Sequence, residues 1–167
     1  MPIKDKKQLF ITMLSHLRQG TERTNQVYQE LGELAQNPQV KEALESRAFV
    51  SRGIIERLDQ CFKLIKEQPV KLSGRLAEVF IEDCRRELTE METPVARHLF
   101  ILAKAVHLTH LRIGEYIALI AAADLTGHPG VGVLLESCLA DNLAFVERTR
   151  RVIREIIEGK IAEKLAA

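Results

Sequence analysis

The sequence predicts an all-α protein built as a four-helix bundle, for three reasons. Apolar residues recur at steps of three and four through most of the 167 residues, and no alternating strand pattern of useful length appears. A helix-capping residue precedes proline at Asn37-Pro38 and again at Thr93-Pro94. The stretch 94–127 is apolar on more than one face, so other helices must surround it.

Four long helices and one short helix follow from this spacing. Gln68-Pro69 ends the second helix, and the short helix lies between that stop and Thr93-Pro94. A turn at 127–130 separates the last two long helices. Gly159 is expected to end or kink the final helix, and the tail 159–167 either extends this helix or frays. The predicted ranges are 6–36, 38–66, about 73–91, 94–126 and 131–158.

The connection lengths predict the topology. The first and second long helices are joined by a short turn, as are the third and fourth, so each pair should be antiparallel. The connection between the second and third is long and carries the short helix. This is an up-down bundle with one long crossover, the connectivity of ferritin-like folds. We expect a single domain over 1–167, with its core at about 6–158.

Composition argues against several functional classes. The net charge is +1, aromatic residues make up 5% and tryptophan is absent, so neither a basic surface nor a base-stacking platform is expected. We therefore predict no nucleic-acid partner. The N-terminus lacks a signal-peptide pattern, and Lys104, Arg112 and Glu115 interrupt the most apolar stretch, so no membrane partner is predicted. Three cysteines without a C-x-x-C motif suggest buried thiols in a cytoplasmic protein. No catalytic motif occurs, and no catalytic residue is predicted.

The second helix opens with Asn37, keeps a regular apolar spacing and closes with Gly53-x-x-Glu56-Arg57-x-Asp59-Gln60. In these features it resembles the second helix of the YciE/YciF family of bacterial ferritin-like proteins. The short-helix segment LAEVFIEDCRREL and the start of the fourth long helix, VLLESCLADN, follow the family's apolar frame. The similarity covers about residues 9–157. On the third long helix it lies around His110, Ile113, Tyr116 and Gly127.

The resemblance implies a bundle that holds two metal ions with carboxylates and histidine, but this chain departs from that pattern. Thr21 stands where the family has glutamate on the first helix. The second helix has 49–52, Phe-Val-Ser-Arg, in place of Glu-Glu-x-His, and the third has 109–112, Thr-His-Leu-Arg, in place of Glu-His-x-Glu. Asp141 remains on the fourth. Independently of alignment, the chain contains no Glu-x-x-His and no Asp-x-x-His. We predict no standard di-metal site and no cofactor.

Polar residues nevertheless interrupt the apolar pattern at mid-bundle. We hypothesise that Arg112, with or without Arg52, supplies the positive charge that metal supplies in relatives, with Glu22 and Asp141 as counter-ions. In the alternative, Arg112 points outward and pairs with Glu115 one turn on. The predicted internal cluster consists of Thr21, Glu22, Ser51, Arg52, Thr109, Arg112, Tyr116, Asp141 and Asn142.

The third long helix carries a second apolar face, which needs a cover of its own. We expect this face to form a symmetric homodimer interface, because such interfaces resemble bisected cores. In the alternative, the short helix covers it. The residues of this face are Val106, Ile113, Ile117 and Ile120.

These observations favour a non-catalytic structural or interaction protein in the cytoplasm, and the resemblance implies a stress-associated role. The alternative function is an iron- or manganese-binding oxidase or storage protein with a non-standard site. A third hypothesis is that the protein binds an apolar ligand between the helices, near Thr21, Thr109 and Tyr116. The ligands of the alternative metal site would be Glu22, His110, Asp141 and Glu115.

Overall fold

A computed structural model describes residues 5–166, with side chains described for residues 5–159. The helices are α1 (Lys6–Leu34), α2 (Pro38–Ile65), α3 (Leu76–Thr89), α4 (Pro94–Leu125) and α5 (Pro129–Ala166). No strand occurs in the described residues. The prediction of an all-α fold is therefore confirmed.

Side-chain caps start three of the helices, and two of these caps, Asn37 and Thr93, were predicted. The Asp5 carboxylate accepts a hydrogen bond from the Gln8 amide at 2.8 Å, at the start of α1. The Asn37 side chain accepts from two backbone amides of α2, and the Thr93 hydroxyl accepts from the Ala96 amide at 3.2 Å. Each bond satisfies a donor that the first helical turn would otherwise leave unpaired. Local sequence therefore determines where these helices begin.

The last helix differs from its prediction at both ends. It begins at Pro129 rather than Val131, because the fixed φ of proline suits the first helical turn. It does not end at Gly159 but continues to Ala166, so the tail extends the helix, as one of the two alternatives predicted. No neighbouring atom lies within 4 Å of a Cβ built at Gly159, and the residues after it are good helix formers. One glycine therefore does not break this helix.

The bundle consists of two antiparallel helical hairpins. α1 packs against α2, α4 packs against α5, and the hairpins join through α2–α5 and α1–α4 contacts. The crossover helix α3 lies on α1 and α4. The segment before α3 is fixed to α1, because Gln19 exchanges two hydrogen bonds with the Leu72 backbone and the Ser15 hydroxyl accepts one from the Val70 amide. This arrangement is the predicted up-down topology with one long crossover.

The core is divided into two apolar clusters. One lies at the end of the bundle that includes Tyr28, Leu44 and Phe145. The other includes Leu14, Leu58 and Tyr116. Between them, every long helix contributes buried polar side chains. We call this layer the polar belt, and its members are Thr21, Thr24, Arg47, Ser51, Thr109, Arg112 and Asn142.

Among the described residues, one segment, 129–159 in α5, is long and apolar enough to span a membrane by length and composition. The core helix of a packed bundle meets the same two criteria. Here α5 buries Val131, Leu135 and Cys138 against the other helices. The segment is therefore only weak evidence for a membrane span.

Candidate functional site

Arg47 on α2 is the charged residue at the centre of the polar belt, and only 3% of it is exposed. Its Nη2 donates a hydrogen bond to Asn142 Oδ1 at 2.6 Å. Its guanidinium carbon lies 5.2 Å from the ring centroids of both Tyr28 and Phe145. None of the ion pairs among residues 5–159 involves Arg47. The bundle therefore holds a positive charge whose protein partners are an amide and two aromatic rings.

The groups around Arg47 are neutral. Asn142 Nδ2 donates to the Cys138 carbonyl at 2.7 Å, which directs its Oδ1 towards the guanidinium. The hydroxyls of Tyr28 and Thr109 lie 2.7 Å apart, and Thr109 also donates to the Ala105 carbonyl. Burying polar groups costs little when they are hydrogen-bonded in this way. The charge itself is compensated less well, because Arg47 Nε and Nη1 have no hydrogen-bond partner within the described residues.

Tyr116 and Ser51 extend the buried polar set towards the second apolar cluster. The Tyr116 ring is fully buried, and neither its hydroxyl nor that of Ser51 makes a hydrogen bond of good geometry within residues 5–159. Burial raises the pKa of Tyr116 well above its ordinary value. The phenol therefore stays neutral and does not provide a counter-ion for Arg47.

The carboxylates predicted to lie inside the bundle do not reach its centre. Glu22 is exposed and pairs with Arg18 on its own helix at 3.4 Å. Asp141 is half-buried and pairs with Arg57, which also donates to the Ser137 hydroxyl at 3.0 Å. The prediction that Glu22 is internal is therefore wrong, because a surface arginine one turn away holds it at the solvent boundary. Neither carboxylate forms an ion pair with Arg112 or Arg52.

The two arginines of the hypothesis behave differently. Arg52 is exposed, with its guanidinium over the exposed Phe49 ring, so its predicted internal position is wrong. Arg112 is only 5% exposed, as the internal interpretation requires. Its Nη1 nevertheless pairs with Glu115 at 2.8 Å, as the alternative requires. Arg112 is therefore buried, as the hypothesis predicted, but its carboxylate partner is Glu115, as the alternative predicted.

The belt does not suit a pair of metal ions. Such a site needs several anionic oxygens facing one point, whereas the belt offers hydroxyls, an amide and two guanidinium groups. In the described part of the chain, no three His, Cys, Asp or Glu residues come close enough to hold a metal ion. The four residues of the alternative site are not brought together. Its three carboxylates pair separately with Arg18, Arg57 and Arg112, and His110 donates to the Val106 carbonyl at 2.9 Å.

The proposed dimer face of α4 is covered unevenly. The crossover helix covers its N-terminal half, where Phe80 meets the His107 ring edge-on and Lys104 pairs with Glu87 at 2.9 Å. Further along, Ile113 is buried at 9% exposure, but Ile117 is 60% exposed. Val106 and Ile120 are half-buried. Thus only the C-terminal half of this face has a large apolar side chain without cover.

The three cysteines lie inside the bundle with free thiols, at Cys61, Cys84 and Cys138. Burial raises the pKa of Cys61 to about 12 and that of Cys84 to about 11, and it also raises the pKa of Cys138. Because the thiolate is the reactive form, both burial and the raised pKa values should make these thiols inert.

We therefore expect all three thiols to resist alkylation by iodoacetamide in the folded protein at mildly alkaline pH. The same thiols should all react within minutes in guanidinium chloride, where neither burial nor the raised pKa persists. Mass spectrometry of both samples counts the modified cysteines. A cysteine labelled equally fast in the folded and unfolded samples would contradict the buried assignment.

Comparison with known proteins agrees with the fold. The Escherichia coli protein YciF is 23% identical over 145 residues, spanning 86% of this chain and 87% of YciF. The crystal structure described as the E. coli stress protein YciF superposes with a TM-score of 0.86 at 21% identity, covering 93% of this chain and 99% of that one. A second structure, described as YcfI, a putative structural protein from Rhodopseudomonas palustris, has a TM-score of 0.82 at 23% identity and covers 89% and 94%.

The family assignment depends on sequence as well as shape. The family described as a domain of unknown function, DUF892, matches residues 5–166. This match includes the second-helix and third-helix segments that resemble YciE and YciF. The chain therefore belongs to the DUF892 family, the YciE/YciF-like group of bacterial helical proteins.

Proposed function

We propose that this protein is a non-catalytic, cytoplasmic structural or interaction protein with a stress-associated role. The observation that supports this most strongly is the make-up of the polar belt, whose central charge is the buried cation Arg47 and which has no converging carboxylates among the described residues. A buried cation repels a second cation in a low-dielectric interior. The descriptions of two relatives, a stress protein and a putative structural protein, agree with the proposal.

The metal-binding alternative makes a different prediction about composition. Protein purified without a histidine tag should contain no stoichiometric iron or manganese by elemental mass spectrometry, because each candidate carboxylate already has an arginine partner. The informative comparison is Asp141→Ala, which removes the carboxylate that remains from the family pattern. Stoichiometric metal in the wild type that disappears in Asp141→Ala would replace our proposal with the metal-dependent one.

An apolar ligand between the helices is less well supported. Thr21, Thr109 and Tyr116 are all 4% exposed or less, so the region expected to receive such a ligand is filled by side chains. The two threonine hydroxyls donate to carbonyls of their own helices. The packing of the bundle centre therefore favours a structural role for these residues.

The interaction role would use the uncovered half of α4 as a homodimer interface. Ile117 is 60% exposed, and Ile120, one turn further along the same face, is half-buried. A second copy related by two-fold symmetry would bring the same two side chains against each other, and the apolar area removed from water would favour association.

Ile117→Glu is expected to convert the dimer to a monomer, because two facing carboxylates would be desolvated at the symmetry axis. Light scattering coupled to gel filtration measures the mass directly. The control is Val133→Glu, which introduces the same charge at a 66% exposed position on α5. A wild-type monomer at micromolar concentration, or equal effects of the two substitutions, would contradict the α4 interface.

A further inference from the structure

A small cavity lies between α1, α4 and the crossover, away from Arg47. Its volume is about 110 Å³, several times what one buried water requires. The crossover closes it, because Gln19 on α1 exchanges hydrogen bonds of 2.9 and 3.2 Å with the backbone of Leu72. Leu72 and Gly74 contribute to the lining from this segment. The wall is therefore held in place by specific backbone bonds.

Two arginines line this cavity, and each lies against a glycine. A Cβ built on Gly20 would lie only 1.7 Å from Arg112 Nη1, so the guanidinium occupies the space that any side chain there would fill. A Cβ built on Gly74 would lie 3.3 Å from Arg23 Nη1. Glycine inside a helix lowers the stability of that helix by about 1 kcal/mol relative to alanine. The space that Gly20 leaves for the Arg112 guanidinium best explains why glycine stands there.

The charges around the cavity do not balance. Arg112 has one carboxylate partner, Glu115, at 2.8 Å, and its buried Nε has no hydrogen-bond partner within residues 5–159. Arg23 forms no ion pair in that same range. His16 also lines the cavity. Two permanent cations therefore share one anion at a partly enclosed site.

We propose that this cavity is a binding site for a small oxyanion, of the size of sulfate, phosphate or a short carboxylate. Guanidinium groups present several N–H donors in a plane, which matches the oxygen geometry of these anions. The free Nε of Arg112 and the unpaired head of Arg23 supply the donors, and the oxyanion supplies the missing negative charge. The site is separate from the belt centre and from the α4 face, so it does not depend on the function proposed above.

The test uses ¹⁵N-labelled full-length protein, titrated with sodium sulfate while sodium chloride keeps the ionic strength constant. Saturable shifts are expected for amides near 16–24, 70–77 and 108–115, and not for chloride alone. Arg23→Gln should weaken sulfate binding about tenfold, because it removes a charged donor pair. Arg52→Gln removes an exposed arginine that lies outside the cavity, and it should leave the affinity unchanged. Gly20→Ala should weaken binding as well, since its methyl group displaces the Arg112 head.

Two further measurements define the chemistry of the site. Acetate in place of sulfate shows whether a planar carboxylate binds as well as a tetrahedral anion. Sulfate affinity should rise as pH falls, because burial raises the pKa of Glu115 and its protonation removes the competing negative charge. His16 also faces the cavity, so Glu115→Gln and His16→Gln are compared to distinguish the contributions of the two residues. The crossover contributes no titratable side chain to the lining.

Shifts that grow linearly without saturation would overturn the proposal, and so would Arg23→Gln protein that binds sulfate as tightly as the wild type. An unchanged thermal unfolding midpoint verifies that Arg23→Gln is folded, which is expected because Arg23 is only half-buried and unpaired.

Discussion

Asn142→Leu is expected to lower the free energy of unfolding by about 3 kcal/mol, because it removes the one side chain, among those that the structure describes, that accepts a hydrogen bond from the buried Arg47. The guanidinium would keep its two aromatic neighbours, but none of its nitrogen atoms would have a described protein acceptor. An unpaired charge in a low-dielectric interior is among the most destabilising changes that a single substitution causes.

The double variant Arg47→Met/Asn142→Leu should recover this loss. It removes the charge together with its partner and places apolar side chains of similar length between Tyr28 and Phe145. Its stability is expected to lie within about 1 kcal/mol of the wild type or above it, as when other buried polar sets are replaced by packed apolar residues. The coupling energy between the two sites should therefore be at least about 2 kcal/mol.

Urea unfolding followed by circular dichroism gives the four free energies of this cycle. Arg52→Met is the control, since it makes the same exchange at an exposed position of α2 and should change stability by less than about 0.5 kcal/mol. If the double variant is no more stable than Asn142→Leu alone, the cost does not come from Arg47, and the belt centre is not organised around its charge.

The helices of this protein could be predicted closely because their ends are determined locally. Asn37-Pro38 and Thr93-Pro94 each combine a capping side chain with a proline that fits the first turn, and both start helices in the structure. Gly127 has a positive φ of 76° and follows α4, as its predicted role as a stop requires. By contrast, Gly159 is exposed within a good helix-forming sequence, where its weak intrinsic preference does not end the helix.

The burial of Arg47 at the centre of the polar belt could have been predicted from the sequence, although the apolar pattern alone does not reveal it. Buried positions on α2 follow alternating steps of four and three, and Arg47 lies between Leu44 and Ser51 in that series. Following the apolar residues alone leads from Leu44 to Ala48 and passes over the arginine. The useful signal was therefore a charged residue at a core position of the helical repeat, and not a charge near a family motif.

Two further contacts of charged residues depend on packing between helices, which a pattern along one helix does not determine. Asp141 on α5 faces Arg57 on α2 across the groove between them. Arg112 is buried because Gly20 on α1 leaves room for its head, although Glu115 of its own helix provides the carboxylate. Neither the Asp141–Arg57 pair nor the contact of Arg112 with Gly20 can be deduced without knowing how the helices are rotated against each other.

Leu14→Ala and Leu44→Ala test whether the polar belt separates the two apolar clusters energetically. Both leucines are fully buried, one in each cluster, so each truncation should cost about 2–5 kcal/mol through lost burial and a residual cavity. The double variant should lose their sum. Because domains of this size have about 5–15 kcal/mol of stability, it should be close to unfolded in the absence of denaturant.

Additivity is the informative quantity in this experiment. The stability losses from substitutions at residues without shared partners usually add to within about 0.5 kcal/mol. Those from neighbouring residues deviate from additivity, because one cavity relaxes into the other. Leu14→Ala/Leu58→Ala is the matched pair, since both of its residues lie in the same cluster and should not be additive. If the Leu14/Leu44 pair deviates as much as the Leu14/Leu58 pair, the clusters relax together through the belt. If only the Leu14/Leu44 pair is additive, the polar belt divides the bundle into two independently packed halves. We expect this result, because the hydrogen-bonded hydroxyls and the buried Arg47 charge of the belt do not repack as apolar side chains do.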